Sequence, residues 1–307
     1  MNQMIKAIFL YSILTAALWA RADELDSLYT KRYGPVQTAS NCTQLRRLSL
    51  QLKGHIPAFQ EARDCATFER TGTARAYLKS PEFTAQQAAR MGSVLREKTR
   101  IDGAPYGGYF QHISQSIHEN KPYDRFVYEL LTARGSAEKN GAVHFYLRDD
   151  SDPLEIAEYV GRAFYGRRYS CARCHDHPNM DFSRRDYYGF SAFFSQTWIK
   201  RGKDDMLPAG RREHMNRPDQ EAFRKQEQEW RATVWNKLSE SEKKNWREKN
   251  RLAYREVVFE PALSLRFPYS DAAPGGDLVK PRLPDGSRLL LDEKEDRRAA
   301  FARWLTD

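Results

Sequence analysis

The chain has 307 residues, 30% of them charged and 12% aromatic, with a formal charge of +9; its mean hydropathy is −0.77 and its isoelectric point near 9.3. That length holds two ordinary domains or one domain with a large insertion, and the aromatic content excludes disorder throughout. The positive balance favours acidic partners or anionic surfaces, but no clustered Lys/Arg and aromatic recognition motif accompanies it, which argues against nucleic acid.

The N-terminal stretch MNQMIKAIFLYSILTAALWARADE has one lysine, an apolar run from Ala7 to Ala20 and a small-x-small site at Ala20-Arg21-Ala22. This reads as a secretory signal peptide over 1–22. The run is shorter than the roughly 20 residues that span a bilayer, so no membrane span is expected once the signal is removed. A periplasmic or extracellular location follows as the expectation. Outside the cytoplasm, thiols are oxidised, joined to a cofactor or bound to metal.

From Thr38 to Leu52, apolar residues at 45, 48 and 52 before Gly54 predict an amphipathic helix with a glycine stop. A second helix is expected over Ala58–Phe68. If the two lie antiparallel, Cys42 and Cys65 stand about 15 and 11 Å along their axes at ~1.5 Å per residue, level enough for a disulfide. Further helices are expected at 84–99, 107–119, 123–133, 153–167 and 184–196, separated by turn chemistry such as DGAPYGG and DDSDP. In the segment 153–167, Ile156, Val160 and Phe164 form one stripe that leads directly to Cys171.

Between two expected core helices lies RRYSCARCHDHPNMDF, residues 167–182. Its Cys171-Ala-Arg-Cys174-His175 spacing suits a c-type haem: two thiols form thioether links and the adjacent imidazole coordinates iron. A flat apolar group would be sandwiched between the helices. Three other readings stay open: a zinc site using Cys171, Cys174 and His177, which lacks a fourth ligand; a redox-active dithiol, which lacks a βαβ setting; and a local disulfide in a module without a cofactor.

After Pro218 the composition becomes highly charged. Phe223, Trp230 and Val234 make a helical stripe and Ser239 or Ser241 can cap a second helix, so residues 216–257 read as an inserted, solvated helical hairpin. Then VVFEPALSLRF has strand character, DAAPGGDLVKPRLPDG is loop, and EKEDRRAAFARWLTD opens an amphipathic helix. The fold class is therefore mainly α: an irregular multi-helix domain over 23–215, the hairpin, and a β/loop tail over 258–307.

The chain resembles the planctomycete-type cytochrome c-like family of large secreted bacterial proteins. The likeness lies in LRRLSLQLKGHIP (Leu45–Pro57), NKPYDRFVYELL (Asn120–Leu131) and above all CARCHDHP followed by DYYGFSAFF. The tail resembles the start of that family's second domain, so a truncated continuation is expected after 307. The resemblance implies a haem-binding, cytochrome-like role on Cys171, Cys174 and His175. One departure is Asn179-Met180-Asp181, where the family is expected to read Phe-Asp-Pro.

The expectation is an exported protein carrying covalent haem c, with His175 on the metal, that exchanges electrons with an acidic redox partner. The alternative is a non-catalytic binding or scaffolding module of a cell-surface assembly, one that handles polysaccharide, with the motif as a disulfide or metal staple. No G-x-S-x-G, H-E-x-x-H or phosphate-cradling glycine loop points to a hydrolase. Candidates for a sixth iron ligand are Met91, His112, His118, Met206 and His214, with Asp176 and His177 as groups that orient His175.

Overall fold

The structure is a computed structural model that describes residues 24–35, 38–203, 215–216, 220–268, 276–292 and 294–307. The expected signal peptide, with its Ala22 site, lies outside the described residues, as do Met206 and His214. The architecture is mainly α, and the chain divides into two compact units that meet in sequence between Ser80 and Pro81.

The first unit contains α1 (24–33), α2 (Asn41–Leu52), α3 (Phe59–Arg63) and α4 (Arg70–Leu78). Ser40 starts α2 by accepting the Thr43 N–H at 3.3 Å, and Gly54 ends it at φ +80°, where its own N–H reaches the Ser49 carbonyl at 3.2 Å. The helix expected over 58–68 breaks at Asp64 and resumes as a 3-10 turn over Cys65–Thr67. Asp, Cys and Thr are weak helix formers, and the Thr67 hydroxyl donates to the Asp64 carbonyl at 2.9 Å. The expected Cys42–Cys65 disulfide is present, with Cα atoms 4.8 Å apart. Lys53 joins α2 to Glu61 at 3.3 Å, and Tyr77 of α4 donates to the other Glu61 oxygen at 2.7 Å.

In the second unit, α5 (Pro81–Val94) packs on α6 (Gly108–His118), and α7 (Tyr123–Leu131) leads through β1 (Gly135–Ser136) to the short α8 (His144–Leu147). Asp152 caps α9 (Pro153–Phe164) by accepting the Leu154 N–H at 2.9 Å, with Pro153 in the first turn where no N–H is needed. This helix stops three residues short of the expected end. Gly166 adopts φ +67°, and the Arg167 N–H returns to the Gly161 carbonyl at 2.9 Å.

Ser183 and Asp186 form a reciprocal capping box for α10 (Arg184–Ser191). Its expected continuation to 196 tightens into a 3-10 turn over Ala192–Phe194 and then becomes β2 (Thr197–Gly202). β2 and β1 both pair antiparallel with β4 (Arg251–Phe259), in the order β1-β4-β2. β3 (Met215–Asn216), β5 (Ser264–Arg266) and β6 (Leu278–Val279) make a second small antiparallel sheet.

The charged hairpin consists of α11 (Gln220–Thr233) and α12 (Glu240–Asn250), and it ends where β4 begins, at Arg251 rather than after 257. Trp230, Trp235 and Trp246 meet with ring centroids 5.4–5.7 Å apart, a small aromatic core between two otherwise polar helices.

The final helix, α13 (Arg297–Thr306), belongs to the second unit's core. Fully buried Phe301 meets Phe190, Phe193 and Phe194 at 5.3–5.6 Å. Beside it Arg298 is 0% exposed, pairing with Asp296 at 2.9 Å and donating to the Ala133 carbonyl at 3.0 Å. A buried guanidinium is tolerated only when it is paired and hydrogen-bonded in this way.

Candidate functional site

The Cys171–His175 motif forms a 3-10 turn over Ser170–Arg173 between α9 and α10, and it packs on α10. Its sequence explains the geometry. Ala172 is small enough to vanish beneath the turn (0% exposed), while the Cys174 and His175 N–H groups both point to the Cys171 carbonyl at 3.3 Å. The two cysteines therefore sit on one turn. Cys171 is half-buried, Cys174 is exposed, and both thiols are free.

Beneath the turn Tyr169 lies with its ring 4.2 Å from that of Phe182 and 5.8 Å from that of Phe190. Tyr187 is fully buried and donates to the Leu154 carbonyl of α9 at 2.7 Å. Burial pushes the Tyr169 phenol up to about 12, so it stays neutral. These aromatic side chains fill the space between α9 and α10. Above them Cys174 and His175 are exposed, whereas Cys171 is half-buried.

His175 is exposed, and its Nδ1 lies 2.7 Å from the Asp176 carbonyl oxygen. A carbonyl only accepts, so the ring proton of this contact belongs to Nδ1. Nε2 meets no hydrogen-bond partner among the described residues. The Asp176 carboxylate is engaged elsewhere, accepting the Arg184 N–H at 2.7 Å. Orientation of His175 thus comes from the main chain of Asp176, not from its side chain and not from His177.

His177 and Met180 hold the following loop together. The His177 N–H donates to the Phe182 carbonyl at 2.9 Å, its Nδ1 accepts the Asn179 N–H at 3.1 Å, and Met180 Sδ receives Arg167 at 3.7 Å. The Asn179-Met180-Asp181 departure builds a locally bonded turn, with Asp181 exposed. Met91 belongs to α5, and His112 and His118 to α6.

Sequence reasoning passed over the acidic side of α9. Glu155 pairs with Arg173 of the turn at 2.5 Å. Glu158, one turn further on, buries Oε2 without a hydrogen-bond partner; burial raises its pKa against the opposing pull of Arg162 and Arg168. Their three-residue spacing on a helix feeding the motif was the available signal.

Two thiols on one turn, with a neighbouring imidazole whose outer nitrogen is free, are the donor set that covalent haem attachment requires. The residues present fit that group at its point of attachment. A zinc triad is not assembled, for among the described residues no three His, Cys, Asp or Glu side chains are placed to hold a metal ion. A disulfide across Cys171 and Cys174 is not formed. No described helix is long and apolar enough to cross a membrane.

No curated protein and no solved structure matches the chain. Residues 25–198, which include the whole of this turn and its two flanking helices, match PSCyt2, a protein of unknown function (DUF1549), and the chain belongs to that family.

Proposed function

We propose that the chain is an exported c-type haem protein that passes electrons, with Cys171 and Cys174 as the covalent anchors and His175 as the axial base. The observation that supports this reading is the pair of free thiols on a single turn beside an imidazole held through Nδ1. Haem, when bound, supplies a one-electron couple at iron.

The chain's own residues have three tasks. Cys171 and Cys174 fix attachment, a task supported by their closeness in one turn, where the Cys174 N–H meets the Cys171 carbonyl at 3.3 Å. The Asp176 carbonyl accepts from His175 Nδ1 and leaves Nε2 turned to the iron side. Tyr169, Phe182 and Tyr187 keep water from beneath the turn and hold its backbone rigid. Export places the thiols where attachment takes place, and this part of the proposal stems from the N-terminal pattern of residues 1–22.

Expression in a periplasm with active cytochrome maturation tests the proposal. A red protein with a Soret band that shifts on dithionite addition is expected, with colour retained through a denaturing gel. The double variant Cys171→Ser, Cys174→Ser should lose the covalent colour, and His175→Ala should alter the spectrum of the wild-type linkage. A colourless wild-type chain made alongside a control cytochrome that matures normally refutes it.

A further inference from the structure

Away from the motif, the helices that open the second unit leave a groove of about 380 Å³. Arg90 and Val94 stand one turn apart on one face of α5, with Met91 beside them. The end of α6, the turn after it and the start of α7 supply the facing wall through Ile117, Lys121 and Tyr123.

The lining is largely apolar with one open positive charge. Met91 and Ile117 are half-buried and pack on the core, whereas Val94 and Tyr123 stay 52% and 54% exposed. A ligand that covers such side chains removes apolar surface from water and is held by doing so. The charged residues that line the groove are Arg90 and Lys121, and among the described residues no carboxylate lines it. Lys121 is paired with Glu129 at 2.5 Å. Arg90 is exposed and has no ion-pair or hydrogen-bond partner among the described residues, which leaves an unneutralised guanidinium beside an apolar wall.

We propose that this groove binds a free medium-chain fatty carboxylate, its alkyl chain against Met91, Val94, Ile117 and Tyr123 and its head on Arg90. A guanidinium fork matches a carboxylate by presenting paired N–H donors in one plane, and the absence of acids from the lining leaves that head unopposed. A methylene takes up close to the ~30 Å³ share of a water molecule in the liquid, so the groove holds one chain of roughly a dozen carbons. A two-chain phospholipid is too large for it. The site stands on its lining residues and is independent of the electron-transfer reading.

Decanoate, kept below its micelle concentration, is titrated calorimetrically into the full chain alongside decanol and decyltrimethylammonium. Decanoate should bind tightest, and its affinity should fall with added salt. Arg90→Gln should weaken decanoate by about tenfold and decanol by less than about twofold. Val94→Trp, which fills the groove with an indole, should weaken both by about tenfold. Lys244→Gln removes the same charge from the hairpin and should change decanoate binding by less than about twofold. Arg90, Val94 and Lys244 are exposed, so all three variants should keep the wild-type urea midpoint.

Equal binding of decanoate and decyltrimethylammonium, or equal losses with Arg90→Gln and Lys244→Gln, would show that no carboxylate is recognised here and would overturn the proposal. So would decanoate that fails to bind below its micelle concentration, or an affinity that Val94→Trp leaves unchanged. A ligand-free chain that sediments as a dimer and becomes monomeric with Val94→Trp would assign the groove to a second copy, again against the proposal. A chain without a Soret band that binds decanoate through Arg90 would sink the haem reading and leave this site standing.

Discussion

Ala172 and Tyr169 are 0% and 3% exposed, whereas Cys174, His175 and Asp176, at most seven residues further on, face solvent. The inner side of the turn is an aromatic floor continuous with the core of α9, α10 and α13. The outer side carries the Cys174 thiol and the His175 imidazole, which have few partners among the described residues. The difference shows how a small motif can be both rigid and available: backbone position is set by packing below, and reactivity is set by the absence of partners above.

That contrast predicts opposite consequences for mutations on the two sides. Phe301→Ala removes a fully buried ring from the shared floor and should cost about 3–5 kcal/mol, read as a lower urea midpoint for the second unit. If stability falls by less than about 1 kcal/mol, the floor does not support the turn as described.

Cys42→Ser opens the disulfide of the first unit, which spans 23 residues, and should cost about 3 kcal/mol. The loss should be confined to that unit. Amide exchange resolves the two: protection should fall over α2 and α3 and persist over α9 and α10.

A third prediction concerns pH. Burial holds the imidazoles of His112 and His144 below the usual histidine range, despite the hydrogen bond from His144 Nδ1 to the Gly141 carbonyl at 2.9 Å. In the unfolded chain the same groups bind protons near pH 6.5. The unfolded state then holds more protons, so their contribution is complete above about pH 6.5 and is lost as pH falls through the folded values. Urea midpoints compared above and below that point should drop on acidification, and the double variant His112→Gln, His144→Gln should flatten the slope.

The smallest effect belongs to the outer side. Cys174→Ser and His175→Ala remove exposed groups and should shift stability by no more than about 0.5 kcal/mol, while His175→Ala alters the absorption spectrum. A large loss of stability in the chain without haem would mean that these residues support the fold.

Much of this contrast can be read in the sequence, and the rest is hidden for identifiable reasons. The stripe Ile156, Val160, Phe164 announces α9, and the turn's spacing announces the donor set, because both are local patterns. The Cys42–Cys65 pairing is anticipated from two neighbouring helices, although Cys65 sits in the 3-10 turn after α3 rather than within a helix over 58–68. By contrast α4, whose sequence RTGTARAYL contains Thr-Gly-Thr, has weak propensity and is held by Glu69 accepting the Thr71 N–H at 2.7 Å. β2 is hidden because it follows a helical stretch without punctuation and forms by pairing with β4, from Thr197 opposite Phe259 to Gly202 opposite Arg251.

The place of α13 was also concealed. Its apolar residues arrive at the end of the chain, so the sequence suggests the opening of another domain, whereas packing against α7 and Phe190 of α10 is a long-range contact. The exposure of Cys174 and His175 is likewise a tertiary fact. Nothing in CARCHDHP indicates that Tyr169 and Phe182 already fill the space beneath it.

Intact mass of the exported chain, made where haem-attachment machinery is active, tests the central claim most directly. The account predicts the mature polypeptide plus one porphyrin, with the increment absent from the Cys171→Ser, Cys174→Ser variant. A polypeptide mass with no increment, from cells that mature a control cytochrome, would contradict it.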